Sequence, residues 1–133
     1  MSRFLLDTNI CIYIIKNKPA SVRERFAQYH IGDIAISSVT VTELVYGVEK
    51  SINYQKNKEA LEDFLLPLAL VPFDAEDASV YGRIRKALEQ KGQVIGGMDM
   101  LIAAQAIAKD FTLISNNLRE FERVDGLKYE NWV

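Results

Sequence analysis

Short apolar runs alternate with segments of helical period along this chain, and that alternation restricts the fold more than any other feature. Phe4-Leu5-Leu6, Ile34-Ala35-Ile36-Ser37, Leu70-Val71-Pro72-Phe73 and Thr112-Leu113-Ile114-Ser115 each read as a strand, with Leu127 to Tyr129 as a further short one. Between them lie helical segments. A first helix is expected from Asn9, acting as its cap, to Lys16, with Asn17-Lys18-Pro19 breaking it. Ser21 and Glu24 have capping-box spacing and predict a helix start, running to about Tyr29. Val41, Leu44, Val45 and Val48 recur at i, i+3, i+4 and i+7, with Glu43 and Glu49 on the polar side. Lys50 to Lys58 reads as a polar turn, and Ala60 to Leu66 as a helix stopped by Pro67. Asp74 is placed to cap a helix from Ala75 to Gln90, with Gly92 beyond its end. After a turn at Gly96-Gly97, the stretch from Asp99 to Lys109 is apolar nearly all round and predicts a buried helix. The order predicts an α/β sandwich with a central, mainly parallel sheet.

No repeat, low-complexity stretch or shift in composition divides the 133 residues, so one domain over 1–133 is expected. No segment is long and apolar enough for a membrane span, and the first residues lack a signal-peptide pattern, which predicts a cytoplasmic protein. The one cysteine, Cys11, sits between Ile10 and Ile12 and reads as a small buried hydrophobe. The one histidine, His30, lies beside the turn Gly32-Asp33 and has no partner for a zinc site. A formal net charge of −2 argues against a global positive field for nucleic acid, but not against a local basic rim. Lys16, Lys18, Lys50, Arg83, Arg85, Lys86, Lys91, Arg119 and Arg123 are the candidates for one.

Against this frame, four acids fall at the ends of apolar segments or just beyond them. Asp7 closes Phe4–Leu6, Glu43 lies in Val41-Thr42-Glu43-Leu44-Val45, Asp99 opens the apolar stretch to Ala108, and Glu120 follows the Thr112 strand. In open α/β sheets, sites form beyond the carboxyl ends of the strands. Singly, each acid has a structural explanation: a helix cap for Asp7, a solvated helix position for Glu43, dipole complementation for Asp99, surface charge for Glu120. Together they form a set that is expensive to gather without a hard cation, which favours oxygen ligands. That pattern points to a Mg²⁺- or Mn²⁺-dependent site acting on phosphates, with Asn9, Ser115 and Asn116 as neutral groups nearby to orient water or substrate. Other chemistries fit worse. Gly96-Gly97 is followed by no Gly-Lys-Ser/Thr, and His30 lies in no hydrolase motif. With a single histidine outside every motif, chemistry on a phosphate through a metal-activated water is favoured over acid–base chemistry by histidine.

Asp7-Thr8-Asn9, Thr42-Glu43-Leu44 with Tyr46-Gly47, Asp99 with Leu101-Ile102-Ala103-Ala104, and Ser115-Asn116-Asn117 with Arg119-Glu120-Phe121 follow one another in an order that resembles PIN-domain ribonucleases. More narrowly, the chain resembles the VapC toxins of type II toxin–antitoxin systems over essentially its whole length. The resemblance implies a PIN-like α/β/α sandwich and a Mg²⁺-dependent endoribonuclease that inhibits translation. Its catalytic and metal-holding residues would be Asp7, Glu43, Asp99 and Glu120. It also implies a homodimer held inactive by a VapB-type antitoxin. The implied substrate is structured RNA: a tRNA in its anticodon region first, initiator tRNA among the candidates, and ribosomal RNA second. The competing readings are a catalytically silent RNA- or protein-binding module of the same fold and another Mg²⁺-dependent phosphohydrolase.

Overall fold

The structure is a computed structural model and describes residues 3–133. The elements run β1 (Phe4–Leu6), α1 (Thr8–Lys16), α2 (Ala20–Ala27), a 3-10 turn (Ile31–Asp33), β2 (Ile34–Ser37), α3 (Ser38–Glu49), α4 (Tyr54–Leu65), β3 (Ala69–Val71), α5 (Ala75–Gln90), α6 (Gly97–Ala108), β4 (Thr112–Ile114), α7 (Leu118–Phe121) and β5 (Lys128–Glu130). The strands form one sheet in the order β3-β2-β1-β4-β5, and every neighbouring pair is parallel. The expectation of a mainly parallel sheet is met in full.

Strand alternation builds the three layers. Side chains of successive strand residues point to opposite faces. Leu5, Ala35 and Leu113 enter one core, with Leu88, Met100, Ile102 and Phe121 of α5, α6 and α7. Phe4, Leu6, Ile34, Ile36 and Ile114 enter the other, with Ile10 and Ile14 of α1, Leu44 of α3, Leu61 of α4 and Trp132. Both faces of β1 and β2 are thus buried, which is why those strands read as continuous apolar runs rather than alternating ones. Each fully buried Leu or Ile contributes about 1.5–3 kcal/mol. Cys11 belongs to the second core and is fully buried, where burial pushes its thiol well up.

The chain builds β2 and β3 outward on one side of β1, then crosses to place β4 and β5 on the other. The direction reverses between β1 and β4, so a crevice opens at their carboxyl ends. Asp7 and Ser115 stand at those ends, directly after β1 and β4.

A buried polar lock fixes the helix that brings in Asp99. Asp74 and Asp77 form a reciprocal capping box at the start of α5. Gln105 of α6, fully buried, donates through Nε2 to the carbonyls of Val71 and Pro72 and to Asp77 Oδ2, each at 3.2 Å. Lys109 closes the cluster, its Nζ 2.8 Å from Asp74 Oδ2 and 3.3 Å from Asp77 Oδ1. A buried carboxylate such as Asp77 is costly unless paired and hydrogen-bonded, and here both conditions are met. The lock ties α6 to α5 and to the end of β3.

Several local expectations are corrected. Asp7, not Asn9, caps α1: its side chain accepts from Ile10 N, and Asn9 already lies inside the helix. The Ser21/Glu24 spacing does not act as a capping box, because α2 begins at Ala20, directly after Pro19. Pro19 supplies a fixed φ and needs no amide partner, and it takes the cap position two residues before Ser21. Tyr54 to Lys58, read as turn, open α4; their straight-chain polar residues are good helix formers facing solvent. Gly97 starts α6 rather than completing a turn, which puts Asp99 at its third residue. Val45, counted on the apolar face of α3, is 45% exposed. The helix α7 is absent from the sequence reading because four residues are too few to show a period. Among the described residues, no helix is long and apolar enough to cross a membrane.

Candidate active site

Four separate elements deliver the four acids to one crevice. Asp7 arrives as the cap of α1, and only 5% of it is exposed. Its Oδ1 accepts from Ile10 N at 2.9 Å, and its backbone N–H reaches Ile114 O at 3.0 Å, stitching the turn to β4. Burial raises the Asp7 carboxyl above its ordinary range. Hydrogen bonds from the Ser115 side chain and the Ile10 and Asn9 amides oppose that shift, and the Glu43 charge adds to it.

Glu43 enters from the second turn of α3. Thr8, the first residue of α1, donates its hydroxyl to Glu43 Oε1 at 2.6 Å, so Glu43 is held against the loop that carries Asp7. Asp99 enters from the first turn of α6, half-buried. Its carboxyl is raised to about 7. Burial is the largest cause, followed by the hydrogen bond and charge of Glu120, then the charges of Asp7 and Glu43. Three other acids therefore act on Asp99 at once, which requires all four to share one neighbourhood.

Asp99 and Glu120 form a carboxyl–carboxylate pair, and their environments decide which holds the proton. Glu120 accepts from Gly96 N at 3.1 Å and from Asn117 Nδ2. Its carboxyl is lowered, first by the hydrogen bond from Asp99 and further by those donors and the Arg123 charge, against some burial. Asp99 lacks comparable donors and keeps the proton near neutral pH. Such a split, one carboxyl up and its neighbour down, is how like charges at one site are accommodated.

The site's cation-binding side chains offer oxygen, from four carboxylates and the Ser115 hydroxyl, the set that suits a hard divalent cation rather than zinc or copper. Among the described residues, no three acidic, histidine or cysteine side chains stand closely enough to enclose an ion as they are. The cause is visible in the pairings: Glu43 is drawn to Thr8, and Asp99 is drawn to Glu120. The donor chemistry, carboxylate oxygens beside a buried serine hydroxyl, fits such a cation.

The neutral residues divide. Ser115 is fully buried and belongs to the site, bonding Asp7 and accepting from Asn117 N at 2.9 Å. Asn116 turns toward α1 and donates to the Tyr13 hydroxyl at 3.1 Å. The Asn9 side chain is exposed, and its link to Asp7 is through its backbone amide. Thr8, Gly96, Asn117 and Tyr13 were not singled out from the sequence. Thr8 adjoins Asp7, and Asn117 lies three residues before Glu120, so nearness to the acids was the available signal. Gly96 gave none beyond the doublet it forms with Gly97.

Gly96 is a steric requirement of the site. A Cβ there would stand 3.2 Å from Asp99 Oδ2 and 3.9 Å from Glu120 Oε1. Gly96→Ala is expected to displace Asp99 by a few tenths of an ångström and to lower RNA cleavage about tenfold, since small misplacements at a reacting centre are costly. The melting temperature should stay close to wild type, because φ at Gly96 is −56° and suits alanine. Cleavage rate and thermal melting measured on the same preparation check both halves.

Comparison with known proteins identifies the family. The PIN domain family matches residues 4–127. The chain is 47% identical over 132 residues to the tRNA(fMet)-specific endonuclease VapC of Shigella flexneri, covering 99% of each. It is 45% identical over 133 residues to ribonuclease VapC2 of Haemophilus influenzae, covering 100% of each. Among solved structures, VapBC from Salmonella typhimurium bound to DNA superposes with a TM-score of 0.94 at 42% identity, covering 100% of both chains. VapBC2 from Rickettsia felis, bound to a DNA fragment from its promoter, superposes with a TM-score of 0.90 at 42% identity, covering 98% of both chains. Four carboxylates at the switch point of a parallel sheet and whole-length similarity lead to one conclusion: the chain belongs to the PIN-domain family and, within it, to the VapC endoribonucleases, the toxins of toxin–antitoxin systems.

Proposed function

We propose that this toxin cleaves initiator tRNA in its anticodon region, in the cytoplasm, and so stops translation, using a divalent cation that Asp7 and Asp99 would hold directly, with Glu43 or Glu120 acting through water. The observation that carries the chemistry is the carboxyl of Asp99, raised to about 7 by burial and by Glu120, Asp7 and Glu43 together. Those acids are gathered at a cost that a cation would relieve. The choice of substrate is supported by the Shigella and Salmonella relatives, both named tRNA(fMet)-specific endonucleases, at 47% and 42% identity over almost the whole chain. When bound, Mg²⁺, with Mn²⁺ as a substitute, supplies an activated water and neutralises charge on the scissile phosphate. Ser115 and the Ile10 amide orient Asp7; Thr8 orients Glu43; Gly96 N and Asn117 orient Glu120. Asp99 must give up its proton to act.

A VapB-type antitoxin is the partner in this reading, on homodimers of the chain. A groove of about 280 Å³ runs between α1, α3 and α4, with Ile12, Ile15, Leu44, Val48 and Leu61 on its walls and Glu43 at its edge. An amphipathic antitoxin segment fits such a groove. An arginine from it would reach the carboxylates, which pair well with guanidinium. The partner is expected to co-purify with the wild-type chain, and Val48→Asp to weaken that association tenfold or more. The substrate is tested by incubating the purified chain and Mg²⁺ with initiator tRNA, elongator tRNAs and ribosomal RNA, then mapping new 5′ ends. A single dominant cut in initiator tRNA is expected; cuts confined to ribosomal RNA would overturn the substrate.

A further inference from the structure

A second concavity lies on the opposite sandwich layer from the antitoxin groove, between α5 and the segment after α7. Its volume is about 170 Å³. The floor is apolar and buried, including Val80, Ile84, Leu88 and Val124. The rim carries Arg83, Lys91 and Arg123 against one acid, Asp125. On a chain whose net charge is −2, three cations around one small cavity are a local reversal of sign. Lys91 spends its charge on Asp125, its Nζ 2.8 Å from Oδ2. Arg83 has no hydrogen bond or ion pair among the described residues and is exposed.

One rim residue of the cavity, Arg123, is bonded to the segments that carry Glu120 and Gly96. Arg123 N donates to Glu120 O at 3.1 Å, and Arg123 Nη1 to Val94 O at 3.3 Å. Two residues past Val94, Gly96 N holds the Glu120 carboxylate. Arg123 thus ties the basic rim to the segment that holds Glu120. Size narrows the occupant. Pockets for drug-sized ligands run about 300–1,000 Å³, so this one admits a single flat group. An unpaired nucleotide matches all three features: its base covers the apolar floor or stacks on a guanidinium plane, and its phosphate meets the free arginine.

We propose that the cavity between α5 and the segment after α7 is an RNA subsite, which takes one unpaired nucleotide flanking the cut, with Arg83 and Arg123 on its phosphate. The proposal rests on the RNA-cleaving reading above and adds a place where substrate is gripped away from the reacting atoms. In it, Arg83 contributes to binding and not to the chemical step.

The test uses the full chain with two substitutions at exposed positions of α5 that line the cavity: Arg83→Glu, and Ala87→Trp to fill its mouth. Lys86→Glu makes the same change of charge on the same helix outside the cavity and is the control. For initiator tRNA, KM is expected to rise about tenfold in both cavity variants, with kcat within about twofold of wild type and Lys86→Glu unchanged. In an Asp7→Asn background, binding of the same tRNA by fluorescence anisotropy should weaken equally. Arg83→Glu should also flatten the salt dependence of log K by about 0.7, the value for one phosphate contact on a single strand. Cavity variants that match Lys86→Glu in KM, or an unchanged salt slope, would overturn the subsite. So would a change in oligomeric mass in either variant, which would assign the cavity to protein contacts. If wild type cuts no tRNA while Asp7→Asn still binds it through Arg83, the subsite stands and the cleavage reading alone fails.

Discussion

Replacing Asp7 by Asn is expected to lower RNA cleavage by on the order of 10²-fold or more, the scale for losing one preorganised electrostatic group at a reacting centre, with the fold intact. Asn is a cap as good as Asp, so the bond to Ile10 N that starts α1 survives the change. What is lost is a charge buried beside Ser115 and facing Glu43 and Asp99. Removing it from a crowded acidic crevice should stabilise the protein when no divalent cation is present. Asp99→Asn should do the same more strongly, because Asp99 is the most perturbed of the four acids.

The pH dependence follows with a definite sign. The folded-state value for Asp99 is about 7, whereas an unfolded-chain aspartate titrates at about 3.9. Between these values the folded protein binds more protons than the unfolded chain. The contribution of Asp99 to stability is then largest at low pH and declines as pH rises toward 7. Asp7, also raised, acts in the same direction, while Glu120, held low, acts in the opposite one, its contribution lost as pH falls below the ordinary glutamate range. In chelator, melting temperature should therefore fall from pH 5 to pH 7.5, Asp99→Asn should flatten the slope, and Mg²⁺ or Mn²⁺ should restore stability at the upper end. Thermal melts over this range, with cleavage assays in parallel, check each part. A fully active Asp7→Asn protein, or wild-type activity undiminished by excess chelator, would sink the metal-nuclease reading.

Cleavage products are expected to carry a 5′-phosphate and a 3′-hydroxyl, and His30→Ala should cut within about twofold of wild type. Attack by the ribose 2′-hydroxyl needs a general acid and base, most often histidine. The one histidine is exposed, at the head of the 3-10 turn Ile31–Asp33, and neighbours none of the four acids in the chain. The crevice offers carboxylates, amides and a buried hydroxyl instead, which suits a metal-activated water. Direct ligation of the downstream fragment through its 5′-phosphate reads out the mechanism. A 2′,3′-cyclic phosphate on the upstream fragment would overturn it, whatever RNA is cut.

Local chemistry in the chain determined the sheet and most of the helices. Phe4–Leu6, Ile34–Ser37 and Thr112–Ile114 are apolar on both faces because helices cover both sides of a parallel sheet, and that burial is visible as an uninterrupted run. Asp74 with Gly92 marked α5 because caps act within a few residues of the helix they bound. The four acids were legible as candidates because each lies at or near an end of an apolar segment, where a parallel fold collects its loops. Tertiary structure decided what no neighbour in sequence could. It paired Asp99 with Glu120 across 21 residues and left the proton on Asp99 because Gly96 and Asn117 give their donors to Glu120. It tied Glu43 to Thr8 across 35 residues and set Arg83 beside Arg123 over one apolar floor. Proton sharing, desolvation and charge coupling depend on distances of a few ångströms between elements, and those distances exist only once β1 and β4 lie side by side.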